Sequence, residues 1–511
     1  MNEIYEKLDE LLSGIAENDI DQESSTFIYE KSKELDSEGK QELCNRISKY
    51  LNGNIHNDIW INSFMLKIMP CKDRLVSMIR SVIDTDKLNW QQKYFLFGQF
   101  CNKIFMDSSL NTEDAGLMLW TLIQNIKDSC KKDITVPLQP IPVEERKEDM
   151  AVVIVEQFLS AEHGPTKTVL DRCRILQKAM KKRVLLINTA ELVTNIGAVP
   201  FFDTVVGNYF PHLIEKNTVE WKGAEIPFFQ CDYNMPSVEG MEELLYAIIR
   251  LKPSSVVLVG GISLFAGLVN DLVPVVTVGT IQSGLAITLA EHQIIDVGMM
   301  DKCTAFAKKL GKPEDYIIQG KFTFSLKEQE EHISRQMVGI PEDSFVMVSI
   351  GGRLDMEITD DFLSHLENVM DERTYFAIVG KCDNVEEMKL KHPKISNQIV
   401  YLGFCSDILS RIEICDLYVN PTRRGGGTSC VEAMFKGKPV VTVNYGDVAG
   451  IVGEQFSCND YDEMERLILR YKNDKEFYAT QSAIATEVAN DYLDSEKEFS
   501  RIMLEYNKRI S

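Results

Sequence analysis

NPTRRGGGTSCVEAMFKGKPVVTV, residues 420–443, is the stretch whose reading decides the fold. An apolar strand runs into Asn420, and three glycines at 425–427 free the backbone for close approach. Thr428 and Ser429 then open a helix, and the strand VVTV follows it. Strand, turn, helix and strand together form the repeating unit of a parallel α/β sheet. The free amides and positive dipole end of such a helix N-terminus suit an anion, and the two hydroxyls add donors for phosphate oxygens. Gly425, Gly426, Gly427, Thr428 and Ser429 are thus candidates for holding a phosphate. Glu432, one turn inside the helix, suits a ribose diol.

Outward from this stretch the rhythm repeats. FVMVSIGG (345–352), TYFAIVG (374–380), QIVYLG (398–403), DLYVNP (416–421) and KPVVTVN (438–444) are strand candidates separated by helix-length segments. They make residues 341–475 one doubly wound domain. Upstream, AVVIVEQF (151–158) and RVLLIN (183–188) read as buried strands. Between them Val169, Cys173, Leu176 and Met180 share one helical face. SSVVLVGG (254–261), a short helix near 264–269 and VPVVTVG (273–279) continue the scheme, so residues 150–340 form a first Rossmann-like domain. Two such domains in tandem place a cleft between the carboxyl ends of their sheets.

Residues 1–135 carry apolar positions at helical spacing with few glycines or prolines, which predicts an all-helical N-terminal domain. VPLQPIPVEERKED (136–149) cannot continue a helix and reads as a linker. Residues 476–511 read as C-terminal helices, with Phe499, Ile502, Met503 and Tyr506 available to dock onto a neighbouring domain.

The whole chain of 511 residues sets 77 acidic against 55 basic side chains, a formal charge of −22. That balance works against binding nucleic acid phosphates or an anionic membrane face. The 12 cysteines contain no CxxC pair, and the seven histidines show no zinc-like spacing, so neither a disulfide framework nor a metal centre is expected. The acidic start MNEIYEKLDELL lacks the character of a signal peptide, and Gly260, Gly261, Asn270, Asp271 and Pro274 interrupt the longest apolar stretch. The expectation is a cytoplasmic protein with no transmembrane segment.

EAMFKGKPVV in the opening stretch, together with SIGGRLD (349–355), resembles the donor domain of GT-B glycosyltransferases, in particular the retaining family four, also called group one. The resemblance implies a GT-B architecture: two Rossmann-like domains facing a cleft, here preceded by the all-α domain. It implies that Gly352 and Arg353 contact the donor diphosphate and that Glu432 holds the ribose. YLGFCSDI (401–408) resembles the family's base-binding loop, which assigns Gly403 and Phe404 to the nucleobase. The pattern departs from the family at two positions. Arg424, beside Arg423, stands where the first Glu of the family's Glu-x7-Glu motif would be, and Ile358 stands where a lysine often follows the arginine. An Arg fork at 424 suits diphosphate oxygens in place of the lost charge.

Arg353 and Arg424 are thus the expected stabilisers of the leaving diphosphate, with no metal or other cofactor, because the site motifs at 349–355, 401–408 and 420–443 carry no Asp-x-Asp spacing. In the first domain His163, Gly164 and Thr166 fall at a strand-to-helix turn facing the cleft. His163 is the candidate general base or sugar hydrogen-bond partner. Thr280, Gln282, Ser283 and His292 are weaker candidates, and Asp360 and Asp361 read as helix-start charges. The expected activity is transfer of a hexose from a nucleoside diphosphate donor, UDP-linked, to a polypeptide. The alternatives are a surface or capsular glycan acceptor, and a non-catalytic GT-B partner subunit that stabilises an active glycosyltransferase. The helical domain would serve the acceptor, a protein partner or a second copy of the chain.

Overall fold

The computed structural model describes residues 4, 7, 8, 11 and 21–511 except Glu162, Val193, Ile281, Gln282, Ser283 and Phe324. Six helices open the described chain: α1 (Gln22–Ser32), α2 (Ser37–Ile47), α3 (Ile55–Ile68), α4 (Lys72–Asp84), α5 (Trp90–Met106) and α6 (Glu113–Cys130). Local chemistry sets their starts. Asp36 caps α2, Asn89 and Gln92 form a reciprocal capping box on α5, and Thr112 caps α6.

The first sheet has eight strands in the order β3-β4-β2-β1-β5-β6-β7-β8. They are β1 (Lys147–Val155), β2 (Arg183–Asn188), β3 (Thr218–Trp221), β4 (Ala224–Gln230), β5 (Pro253–Val259), β6 (Val275–Val278), β7 (His292–Asp296) and β8 (Ile317–Gly320). All pairs are parallel except the β3–β4 hairpin. The period of two along β1 sends its side chains to two different cores. Val152 and Ile154 join Phe95, Phe97, Phe100, Leu122 and Ile126 from α5 and α6. Ala151, Val153 and Val155 join Val169, Cys173 and Leu176 of α7 (Gly164–Lys178). Helices α3–α6 therefore share a core with the first α/β domain, alongside α8 (Val238–Leu251) and α9 (Leu264–Val269), while α1, α2 and the other face of α3 form a core of their own. Short α10 (Met300–Lys309) precedes β8.

The second sheet is all parallel, in the order β11-β10-β9-β12-β13-β14. Its strands are β9 (Phe345–Gly351), β10 (Thr374–Gly380), β11 (Ile399–Gly403), β12 (Leu417–Asn420), β13 (Val440–Val443) and β14 (Ser457–Cys458). The helices between them are α11 (Leu354–Glu357), α12 (Asp360–Val369), α13 (Val385–Lys391), α14 (Ile408–Glu413), α15 (Gly427–Phe435), α16 (Gly446–Val452) and α17 (Tyr461–Asn473). The strand order reverses around β9, so the loops after β9 and β12 open onto the crevice where α/β sheets take ligands.

Two helices end the chain. α18 (Lys475–Leu493) packs its Ala485, Ala489 and Tyr492 into the second domain. α19 (Ser495–Arg509) crosses back, burying Phe499, Ile502, Met503 and Tyr506 against the first sheet. The four docking residues expected from sequence are the ones that dock. Among the described residues no helix is long and apolar enough to cross a membrane.

Candidate functional site

The turn from β12 into α15 is built on a buried arginine. Arg423 donates through Nε to Asn420 Oδ1 at 2.7 Å, and through Nη2 to the carbonyl of Ile350 and the hydroxyl of Tyr418, both at 2.8 Å. Its Nη1 reaches Glu357 Oε2 at 2.8 Å. Ser429 Oγ lies 2.9 Å from Tyr418 Oη and donates to Gly426 O at 3.1 Å, so this hydroxyl belongs to the same support. Gly426 has φ +103°, and a Cβ there would stand 2.7 Å from Arg423 Nη2, which is why the position has no side chain.

Gly426 is also the N-cap of α15, and no side chain caps this helix. Asp36, Thr112, Ser237, Thr359 and Asp460 cap theirs. The N-cap glycine offers no side chain to the first-turn amides of α15, and amides at a helix N-terminus suit an anion.

Arg353 lies directly over this turn. A Cβ added to Gly425 would come 3.7 Å from Arg353 Nη2, and the same nitrogen donates to Glu357 Oε1 at 3.0 Å. Glu357 therefore bridges Arg353 and Arg423. Arg424 donates from Nε to Tyr445 Oη at 3.0 Å, while its Nη2 is buried and has no hydrogen-bond partner among the described residues. Gly352 has open space where a side chain would be. Gly403, with φ +69°, also faces open space, and Phe404 beside it is 69% exposed.

The first domain meets this turn through the start of α7. Gly164 is its first residue, and a Cβ there would lie 3.8 Å from Thr428 Oγ1. His163 is the N-cap, with Nδ1 3.0 Å from Thr166 Oγ1, an oxygen that accepts from the Leu159 amide. Burial, and then the charge of Arg353, pull the imidazole down to about 4, so the ring is neutral at physiological pH. In the tautomer in which the Thr166 hydroxyl donates to Nδ1, Nε2 carries the proton and is a donor. Lys167, one turn into α7, places Nζ 3.6 Å from Glu432 Oε1. Glu432 is 5% exposed; burial raises its carboxyl pKa and Lys167 opposes the rise.

The other candidates lie apart from this centre. Thr280 sits half-buried in the bend after β6, and Gln282 and Ser283 fall outside the described residues. His292 is a buried core residue, with Nδ1 3.0 Å from Asp315 O and its ring edge-on to Tyr506. Asp360 and Asp361 are exposed in the first turn of α12.

Sequence reasoning passed over Glu357, Lys167, Phe105 and Glu156. Glu357 stands next to the missing lysine position and was findable there; the other three carry no local signal. Glu156, at the end of β1, accepts from the amides of Gly261 (2.6 Å) and Ile262 (2.5 Å), and burial pushes it up to about 7. His365, Asp462 and Glu465, on α12 and α17, bring potential metal ligand atoms within 4.8 Å of one another on outer helices.

Residues 330–488 match the protein family described as glycosyl transferases group 1. No curated protein matches the chain in sequence. Among solved structures, a mutant O-GlcNAc transferase of Thermobaculum terrenum is 11% identical, with a TM-score of 0.56 over 99% of this chain and 98% of that one. A glycosyltransferase of Rickettsia africae is also 11% identical, with a TM-score of 0.51 over 71% of this chain and 99% of that one. At this identity the likeness is one of fold: two Rossmann-like domains facing a cleft, with the N-terminal helices included in the first match.

Proposed function

We propose that this chain, whose residues 330–488 are a glycosyl transferases group 1 domain in a GT-B fold, transfers a hexose from a nucleoside diphosphate donor, UDP-linked, to a polypeptide. One observation carries the donor half of the reading: the uncapped N-terminus of α15, with Arg353 over its glycine turn and the orphaned Nη2 of Arg424 beside it. As the glycosidic bond breaks, the leaving diphosphate gains charge, and preorganised amides and guanidiniums stabilise it without reorganising. In this reading Arg353, Arg424 and the amides at Gly427, Thr428 and Ser429 do that work without a divalent ion. Glu432 exchanges Lys167 for the ribose hydroxyls, and the nucleobase lies along Gly403 and Phe404.

His163, neutral and with a depressed pKa, is a weak base; Nε2 suits a hydrogen bond to the transferred sugar. Gly164 and Thr166 shape that side of the cleft.

Support for a polypeptide acceptor comes from the net charge of −22, which disfavours anionic glycans and lipids, and from the helical domain.

The test offers radiolabelled UDP-sugars to the protein with peptide and with lipid-linked sugar as acceptors. Label entering peptide supports the reading. Label entering only the lipid-linked glycan moves the assignment to surface polysaccharide assembly, and nucleotide binding with neither transfer nor donor hydrolysis makes the chain a non-catalytic partner.

A further inference from the structure

Phe105, in the last turn of α5, brings the helical domain to the same two arginines. Its ring centroid lies 5.1 Å from Arg353 Cζ and 5.7 Å from Arg424 Cζ. Tyr94, Phe95, Phe97 and Phe100 on the same helix are buried in the core, whereas Phe105 is half-buried and belongs to no core cluster. Its packing is spent on two cations of another domain.

Neither guanidinium is fully held within its own domain. Arg353 is 42% exposed and shares its carboxylate, Glu357, with Arg423. Arg424 has the Tyr445 hydroxyl and an unpartnered Nη2. Two like charges converging on one site repel, and long side chains lose rotamer freedom when fixed. An aromatic ring in contact with both offsets both penalties through its quadrupole and restricts where the two forks point.

We propose that Phe105 is a positioning residue for the donor diphosphate: the helical domain completes the donor site by aiming Arg353 and Arg424, in addition to any part it plays with the acceptor. The inference rests on the donor-site reading above, and the experiment separates the two.

Affinities for UDP and for uridine are measured by calorimetry on the full chain and on Phe105→Leu and Phe105→Tyr, with thermal melts of each. Phe105→Leu is expected to weaken UDP about three- to tenfold and leave uridine unchanged, because only the diphosphate feels the arginines. Phe105→Tyr, which keeps the ring, is expected to retain UDP affinity. Unchanged UDP affinity in Phe105→Leu, or equal loss for UDP and uridine, overturns the positioning role while the donor site stands. A native protein that binds neither ligand removes the donor site and the inference together. A protein that binds UDP with the expected Phe105 dependence yet transfers no sugar leaves the inference standing and removes the proposed activity.

Discussion

Lys167 Nζ lies 3.6 Å from Glu432 Oε1, so a cation of the first α/β domain neutralises a buried carboxylate of the second at the mouth of the cleft. The contact ties donor binding to the relation between the domains. In the proposed donor site a ribose diol engaging Glu432 would take the place of the lysine.

Glu432→Gln should weaken UDP binding by roughly 1–3 kcal/mol, the usual worth of hydrogen bonds to a charged group. Lys167→Met leaves a buried charge without its partner, so the free protein should melt earlier and gain more from added UDP than the native protein does. Melting curves with and without UDP check both, and equal UDP-induced shifts in native protein and Lys167→Met would refute the exchange.

Arg353→Ala should lower turnover by about 10²- to 10³-fold, the typical cost of removing one preorganised donor from a developing anion. The side chain is 42% exposed, so the melting temperature should hardly move. Donor hydrolysis rates measured with and without EDTA test this together with the metal-free reading. Activity abolished by the chelator and restored by a divalent ion would sink the latter.

Adjacent arginines should behave oppositely. Arg423→Ala removes four hydrogen bonds, leaving buried Asn420, Tyr418 and the Ile350 carbonyl without that donor and Glu357 with Arg353 alone, so unfolding free energy should drop by about 3–5 kcal/mol in urea titrations. Arg424→Ala should change stability little and weaken UDP more than uridine. Similar stability losses in both variants would contradict the division of labour between them.

His163 predicts a dependence on pH. Its folded-state value of about 4 lies below the ordinary 6.5, so the fold favours the neutral ring. That contribution is fully present above pH 6.5 and is lost as pH falls towards 4, amounting to at most about 3 kcal/mol. His163→Gln should flatten the stability profile between pH 4 and 6.5. Parallel profiles for native protein and variant would show that the histidine is not responsible.

The motif around residues 420–443 was legible because its parts are local: a strand, three glycines and a helix start, all within one turn of chain. The five strands expected in the second domain are all present, since each is a short segment rich in apolar residues between breakers. Strands β3, β4, β7, β8 and β14 escaped notice because TVEW, HQIID and IIQG mix polar with apolar residues, Pro227 stands inside β4, and β14 is only Ser457–Cys458. The apparent linker at 136–149 runs straight into β1, and α3–α6 of the expected helical domain share a core with the first α/β domain, because the aromatic faces of α5 and α6 find their partners far along the chain in β1, α8 and α9. The same distance hid Phe105 and Lys167. Nothing next to them in the chain marks them; only the fold carries them to Arg353 and Glu432.

The return of α19 to the first sheet means that the polypeptide passes between the lobes twice, between β8 and β9 and again at Asp494. Two tethers define a line, and rotation about that line is the motion they resist least. Opening of the cleft is therefore expected to follow a single hinge axis through these crossings, swinging Lys167 away from Glu432 while the buried strut beneath the glycine turn travels as a rigid part of its own lobe.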